Sequence, residues 1–123
     1  MIFVRQYGSE GGRSIVGLHG WGGDHREFAA VAARLPAGFR LLSPDLPGYG
    51  DSPRPERWDV EAILNAVEKT LQSFGAFPCV MTGFCSGAAL AAMLARREGL
   101  AHHGPVAREV ARAEDAALRS HGL

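Results

Sequence analysis

Short apolar runs alternate with stretches of helical period along this chain. Ile2, Phe3 and Val4 form a first short strand, broken by the turn-rich segment Tyr7-Gly8-Ser9-Glu10-Gly11-Gly12. Ser14-Ile15-Val16-Gly17-Leu18 is continuously apolar, as a strand buried on both faces of a parallel sheet should be. Residues 25–35 place Phe28, Val31, Ala32 and Leu35 at helical spacing, with Pro36 as the stop. Residues 39–43 make the next strand, and Pro44-Asp45-Leu46-Pro47-Gly48-Tyr49-Gly50-Asp51-Ser52-Pro53 is an irregular loop punctuated by glycine and proline. Asp59 then caps a helix whose apolar positions Val60, Ile63, Leu64, Val67, Leu71 and Phe74 keep a helical period until Gly75. A last strand over residues 77–81 runs through a glycine-bounded turn into the helix-forming run 88–97. Strands alternating with helices in this order predict right-handed crossovers and an α/β fold, a mostly parallel sheet flanked by helices.

Composition narrows what such a domain does. The 123 residues are one domain's worth of chain, and 46% hydrophobic content is ordinary for a globular protein. Thirteen basic against thirteen acidic residues give zero formal charge, which removes the electrostatic case for nucleic acid or an anionic membrane as partner. Residues 1–7 carry one Arg and no long apolar region, and the longest apolar stretch, residues 88–95, is too short to span a bilayer. The expectation is a cytoplasmic protein.

Candidate chemistry concentrates at Gly83-Phe84-Cys85-Ser86-Gly87, a G-x-C-x-G spacing between strand and helix. The turn must be tight, and a side chain at Gly83 or Gly87 would collide with the neighbouring strand or helix. A thiol on such a turn is lifted clear of the sheet and faces the unpaired N–H groups and positive dipole end of the following helix. The Ser86 N–H is placed to stabilise an oxyanion. The plainer reading is that Cys85 is a small buried hydrophobe in a tight strand-to-helix packing. Cys79 lies six residues away along an extended strand, roughly 20 Å, too far for a disulfide, so both thiols are expected free.

Two loops accompany this turn. His19-Gly20-Trp21-Gly22-Gly23-Asp24 leaves a buried strand rich in glycine, which lets backbone N–H groups approach a ligand, or makes a flexible turn. Asp45, at the end of the next strand, is suited to holding its loop by side-chain to backbone hydrogen bonds. His25, at the polar start of its helix, reads as a capping or surface group.

Taken together, these three segments resemble the α/β-hydrolase family. Leu18-His19-Gly20-Trp21-Gly22-Gly23 is similar to its His-Gly oxyanion loop, the segment from Pro44 to Ser52 to its D-x-x-G-x-G-x-S loop, and Gly83 to Gly87 to its nucleophile elbow. The resemblance covers about residues 2–97. It implies Cys85 as nucleophile, the backbone N–H groups of Trp21 and Ser86 as the oxyanion hole, and His19, Gly20 and Asp45 as loop supports. Cysteine in place of serine resembles dienelactone hydrolases and polyhydroxyalkanoate synthases, and cysteine forms thioesters readily.

The family continues past the elbow helix with an acid and then a histidine. Here Leu100-Ala101-His102-His103-Gly104-Pro105 is followed by residues 106–119, an Ala- and Arg-rich stretch that reads as one helix. The expected organisation is a core over residues 1–99, a truncated α/β-hydrolase fold ending after the elbow helix, and a helical tail over 100–123. His102, His103 and His121, with Glu114 or Asp115, match no family motif and read as solvated tail groups.

Two readings of function stand. One is an ester or thioester hydrolase, or acyltransferase, acting on a small-molecule substrate through Cys85. The other is a catalytically inactive interaction module that buries an exposed sheet edge in a partner or a second copy. Trp21, Phe84, Tyr49 and Trp58 are candidates for an apolar acyl pocket or for packing. No metal and no cofactor are expected, because the histidines and cysteines lack ligand spacing and the glycines do not follow G-x-G-x-x-G.

Overall fold

The computed structural model describes residues 1–99 and places four strands in one mixed sheet: β1 (Val4–Gly8), β2 (Arg13–Leu18), β3 (Phe39–Pro44) and β4 (Val80–Gly83). Their order across the sheet is β1-β3-β2-β4. β2 runs parallel to both β3 and β4, and β1 is antiparallel to β3, with Val4 opposite Pro44 and Gly8 opposite Arg40. Among the described residues β4 therefore lies at one edge and β1 at the other. The first strand begins later than its apolar residues suggest. Ile2 instead drops into the core, and its N–H donates to Thr70 Oγ1 at 3.3 Å.

The two faces of the sheet are filled by different parts of the chain. Val16 and Leu18 of β2, Leu42 of β3 and Met81 of β4 join one apolar cluster with α2 (Val60–Ser73) and α3 (Ser86–Glu98). The helices supply Ile63, Leu64, Val67 and Leu71 on one side and Leu90, Ala91 and Leu94 on the other. Because strand side chains alternate, Gly17 and Ser43 turn to the opposite face. There the Phe28 ring fills the space a side chain at Gly17 would need, and Ser43 Oγ donates to the His25 carbonyl at 3.2 Å.

Helix boundaries follow local chemistry at α2. The Asp59 side chain accepts from the Ala62 N–H at 2.8 Å, and Gly75 follows the end at φ 62°. Val60 and Phe74 sit at its ends and are exposed, so the buried stripe is narrower than the apolar periodicity.

The helix expected over residues 25–35 is the clearest difference. A 3₁₀ turn (His25–Phe28) runs into a single α-helical turn, α1 (Ala29–Ala32). Its exit tightens through Arg34 N–H to Val31 carbonyl at 3.0 Å and Leu35 N–H to Ala32 carbonyl at 3.2 Å. Pro36 pushes Leu35 away from helical geometry, and of the expected apolar face only Phe28 is buried. The helix expected over residues 106–119, and His102, His103, Glu114, Asp115 and His121, lie outside the described residues. No helix of the described residues is long and apolar enough to cross a membrane.

Candidate active site

β4 ends at Gly83 and α3 starts at Ser86, which leaves two residues to reverse the chain. Cys85 takes the strained position, at φ 52° and ψ −120°, and is the one non-glycine residue with positive φ among the described residues. Such a conformation costs on the order of 1–3 kcal/mol and persists only where the surroundings impose it. Here they do. A Cβ on Gly83 would strike the Gly87 carbonyl and the Ala88 nitrogen, and one on Gly87 would strike the carbonyl oxygens of Leu18 and His19. The Phe84 N–H also donates to the Leu18 carbonyl at 3.0 Å, binding the turn to the end of β2.

That contact brings the glycine-rich loop after β2 to the same place. A Cβ on Gly20 would lie 3.2 Å from the Phe84 carbonyl oxygen and 3.3 Å from Cys85 Cβ. The Gly20 N–H is held by Glu27 Oε2 at 3.0 Å, and the Gly23 N–H returns to the Gly20 carbonyl at 3.1 Å. Gly87 and Ala88 N–H groups pair with the carbonyls of Phe84 and Cys85 at 2.8 and 3.0 Å, whereas the Ser86 N–H has no backbone acceptor among the described residues. The Trp21 N–H is engaged: it donates to Ser86 Oγ at 2.8 Å.

His19 is fully buried and its ring is fully used. Nε2 accepts from the Leu46 N–H at 2.9 Å, so the ring proton sits on Nδ1, which donates to the Gly20 carbonyl at 2.8 Å. With its lone pair committed, this imidazole ties the loop after β2 to the loop after β3.

Asp45 is also fully buried. Its Oδ1 accepts from the His25 N–H at 2.6 Å and from His25 Nδ1 at 2.9 Å, and its Oδ2 accepts from the Asp51 N–H at 2.9 Å. Burial alone would push this carboxyl up. The hydrogen bonds from Asp51 and His25, with the charge of His25, outweigh it and hold Asp45 below the usual carboxylate range. His25 is therefore a partner of Asp45 rather than a surface cap. Sequence gave no signal for this pairing, which spans 20 residues.

Asp24 completes a group with His25 and Asp45 whose ligand atoms all lie within 4.8 Å of one another. These atoms already have partners: Asp24 Oδ1 accepts from the Arg26 N–H at 2.8 Å, and both Asp45 oxygens accept as described. The group cross-links loops.

The two thiols differ. Cys85 is exposed, whereas Cys79 is half-buried before β4 and is pushed up to about 12 by burial and by the charge of Glu98. Around Cys85, Phe84 stacks on Phe28 with centroids 4.8 Å apart, and the exposed Trp21 ring lies 5.8 Å from Tyr49. Trp58 is apart from this rim, over Gly48. A cavity of about 500 Å³ lies elsewhere, lined by Ile2, Pro53, Arg54, Arg57, Lys69 and Thr70 among others, and includes neither Cys85 nor Trp21.

The sequence model of a family described as the alpha/beta hydrolase fold matches residues 13–108. The AB hydrolase superfamily protein YisY of Bacillus subtilis is 37% identical over 101 residues, covering 80% of this chain and 37% of that protein. The pimeloyl-[acyl-carrier protein] methyl ester esterase of Neisseria meningitidis is 35% identical over 80 residues, covering 65% of this chain and 30% of the esterase. Among solved structures, an esterase from Exiguobacterium antarcticum superposes with a TM-score of 0.69 at 27% identity, covering 85% of this chain and 37% of its own. The chain thus spans about a third of the length of these relatives.

Proposed function

This chain belongs to the α/β-hydrolase fold family, and from that premise we propose that it carries the nucleophile region of an esterase or thioesterase that works through Cys85. One observation carries the reading: Cys85 alone among the non-glycine residues described is forced into positive φ, at the junction of β4 and α3, beside Gly20. Strain of this kind at an exposed thiol has no packing purpose, since the side chain fills no core space.

The chemistry follows. The Cys85 sulfur attacks the carbonyl carbon of a carboxylic ester or thioester, and the carbonyl electron pair moves to oxygen. The Ser86 N–H, at the positive end of α3, is the backbone donor to that oxygen, and the Trp21 N–H on the opposite loop, which donates to Ser86 Oγ, borders the same oxyanion site. Collapse expels the alkoxide or thiolate, which takes up the proton lost by the thiol. Water then releases the acid, or an acceptor takes the acyl group. His19, Gly20 and Asp45 hold the loops, and Gly83 and Gly87 allow the turn. The small-molecule ester substrate, the residues 1–99 as the core and a cytoplasmic setting belong to the same proposal. The esterases among the relatives support the ester class.

Intact-protein mass spectrometry after brief exposure to p-nitrophenyl butyrate tests it, with Cys85→Ala and Cys79→Ala run alongside. A single acyl adduct absent only from Cys85→Ala is the expected result. No adduct on folded protein, or equal labelling of both cysteines, overturns it and favours an interaction module.

A further inference from the structure

Ser86 follows Cys85 directly, and its hydroxyl holds the Trp21 N–H at 2.8 Å. That amide is thereby occupied at the point where a donor to the reacting oxygen is needed. A hydroxyl that accepts from an amide keeps its own proton free to donate, and the accepted bond polarises that O–H. The hydroxyl also sits where the reaction would be. A Cβ on Gly20 would lie 3.3 Å from Cys85 Cβ and 3.8 Å from Ser86 Oγ, so the loop at Gly20 packs closely against both the thiol-bearing residue and the hydroxyl.

We propose that the Ser86 side chain is itself an oxyanion donor, relaying the Trp21 N–H through its hydroxyl to the oxygen of the tetrahedral adduct on Cys85. Ser86 then supplies two donors, its amide and its hydroxyl, and Trp21 acts through the second. The Ser86 proton stays on Oγ throughout, so no bond is made or broken at this residue. The inference rests on the proposed role of Cys85 as nucleophile. It departs from an all-backbone oxyanion hole, in which the Ser86 hydroxyl would only obstruct Trp21.

The two arrangements predict opposite signs. If the hydroxyl obstructs, Ser86→Ala frees the Trp21 amide and speeds acylation. If it donates, Ser86→Ala slows acylation by about 10²-fold, the loss typical of one oxyanion donor. The experiment measures two rates at Cys85 on the full chain: acylation by p-nitrophenyl butyrate, which forms an oxyanion, and alkylation by iodoacetamide, which does not. Expected are slowed acylation with unchanged alkylation in Ser86→Ala, and recovery of most of the lost acylation rate in Ser86→Thr, which restores a hydroxyl at the same carbon. Acylation of Ser86→Ala at or above the wild-type rate overturns the proposal. So does equal slowing of acylation and alkylation, which places the effect on the thiol. Wild-type protein that is alkylated but never acylated fails at the earlier step, the role of Cys85 itself.

Discussion

The Asp45 carboxylate receives two donors of His25 on one oxygen, the backbone N–H at 2.6 Å and ring Nδ1 at 2.9 Å. With Oδ2 on the Asp51 amide, this buried group fixes the start of the 3₁₀ turn and the loop after β3 against each other. His19 bridges the same two loops through Gly20 and Leu46. The position of Gly20 beside Cys85 therefore depends on residues that lie away from the elbow.

Removing the carboxylate leaves the His25 and Asp51 amides without their acceptor. Asp45→Ala should cost roughly 2–4 kcal/mol, from the loss of charge-assisted hydrogen bonds and the burial of unpaired donors. Urea unfolding followed by circular dichroism measures it. A change within experimental error would show that the two loops are held by other contacts.

Acid should weaken the fold through the same group. The folded state holds Asp45 below its ordinary value of 3.8, so it binds fewer protons than the unfolded chain as pH falls through that region. The stabilisation is fully present above the unfolded value and is lost as pH drops through the folded one. Urea midpoints measured downward from pH 6 should fall more steeply in the wild type than in Asp45→Asn below about pH 4. Parallel curves would assign the acid sensitivity to other carboxylates.

The thiols should be chemically distinct. Cys79, pushed up to about 12, presents almost no thiolate at pH 8, whereas Cys85 is exposed. Limited iodoacetamide should modify Cys85 alone, read by peptide mass spectrometry, and Cys85→Ala should remain unmodified under the same conditions. Comparable modification of Cys79 would contradict its burial before β4.

Glycine positions should divide by what surrounds them. A methyl at Gly87 meets two backbone carbonyl oxygens that cannot yield, so Gly87→Ala should destabilise by roughly 3 kcal/mol and abolish acylation of Cys85. Gly11 has open space around the same position, and Gly11→Ala should stay within about 0.5 kcal/mol of the wild type. Thermal melts of both variants decide this, and equal effects would mean that the close packing of β2 on α3 is not maintained in solution.

Local signals were legible without the structure because their physics is local. Apolar runs located β2 and β3, and of the strand expected over residues 77–81 only Val80 and Met81 pair, β4 running on to Gly83. The Asp59 side chain and Gly75 marked the ends of α2, and the Gly83 to Gly87 spacing marked a tight reversal between β4 and α3. Each depends on side chains a few residues apart, where steric exclusion and capping act within one turn. The tertiary structure decided what crosses the chain. It set β1 antiparallel beside β3, where pairing rather than apolar content chose Val4–Gly8, and it shortened the helix after His25, because the chain must leave at Pro36 to enter β3. It paired His25 with Asp45 across 20 residues and Trp21 with Ser86 across 65. Hydrogen bonds of that span leave no periodicity in a sequence; they exist only once the sheet has brought the loops together.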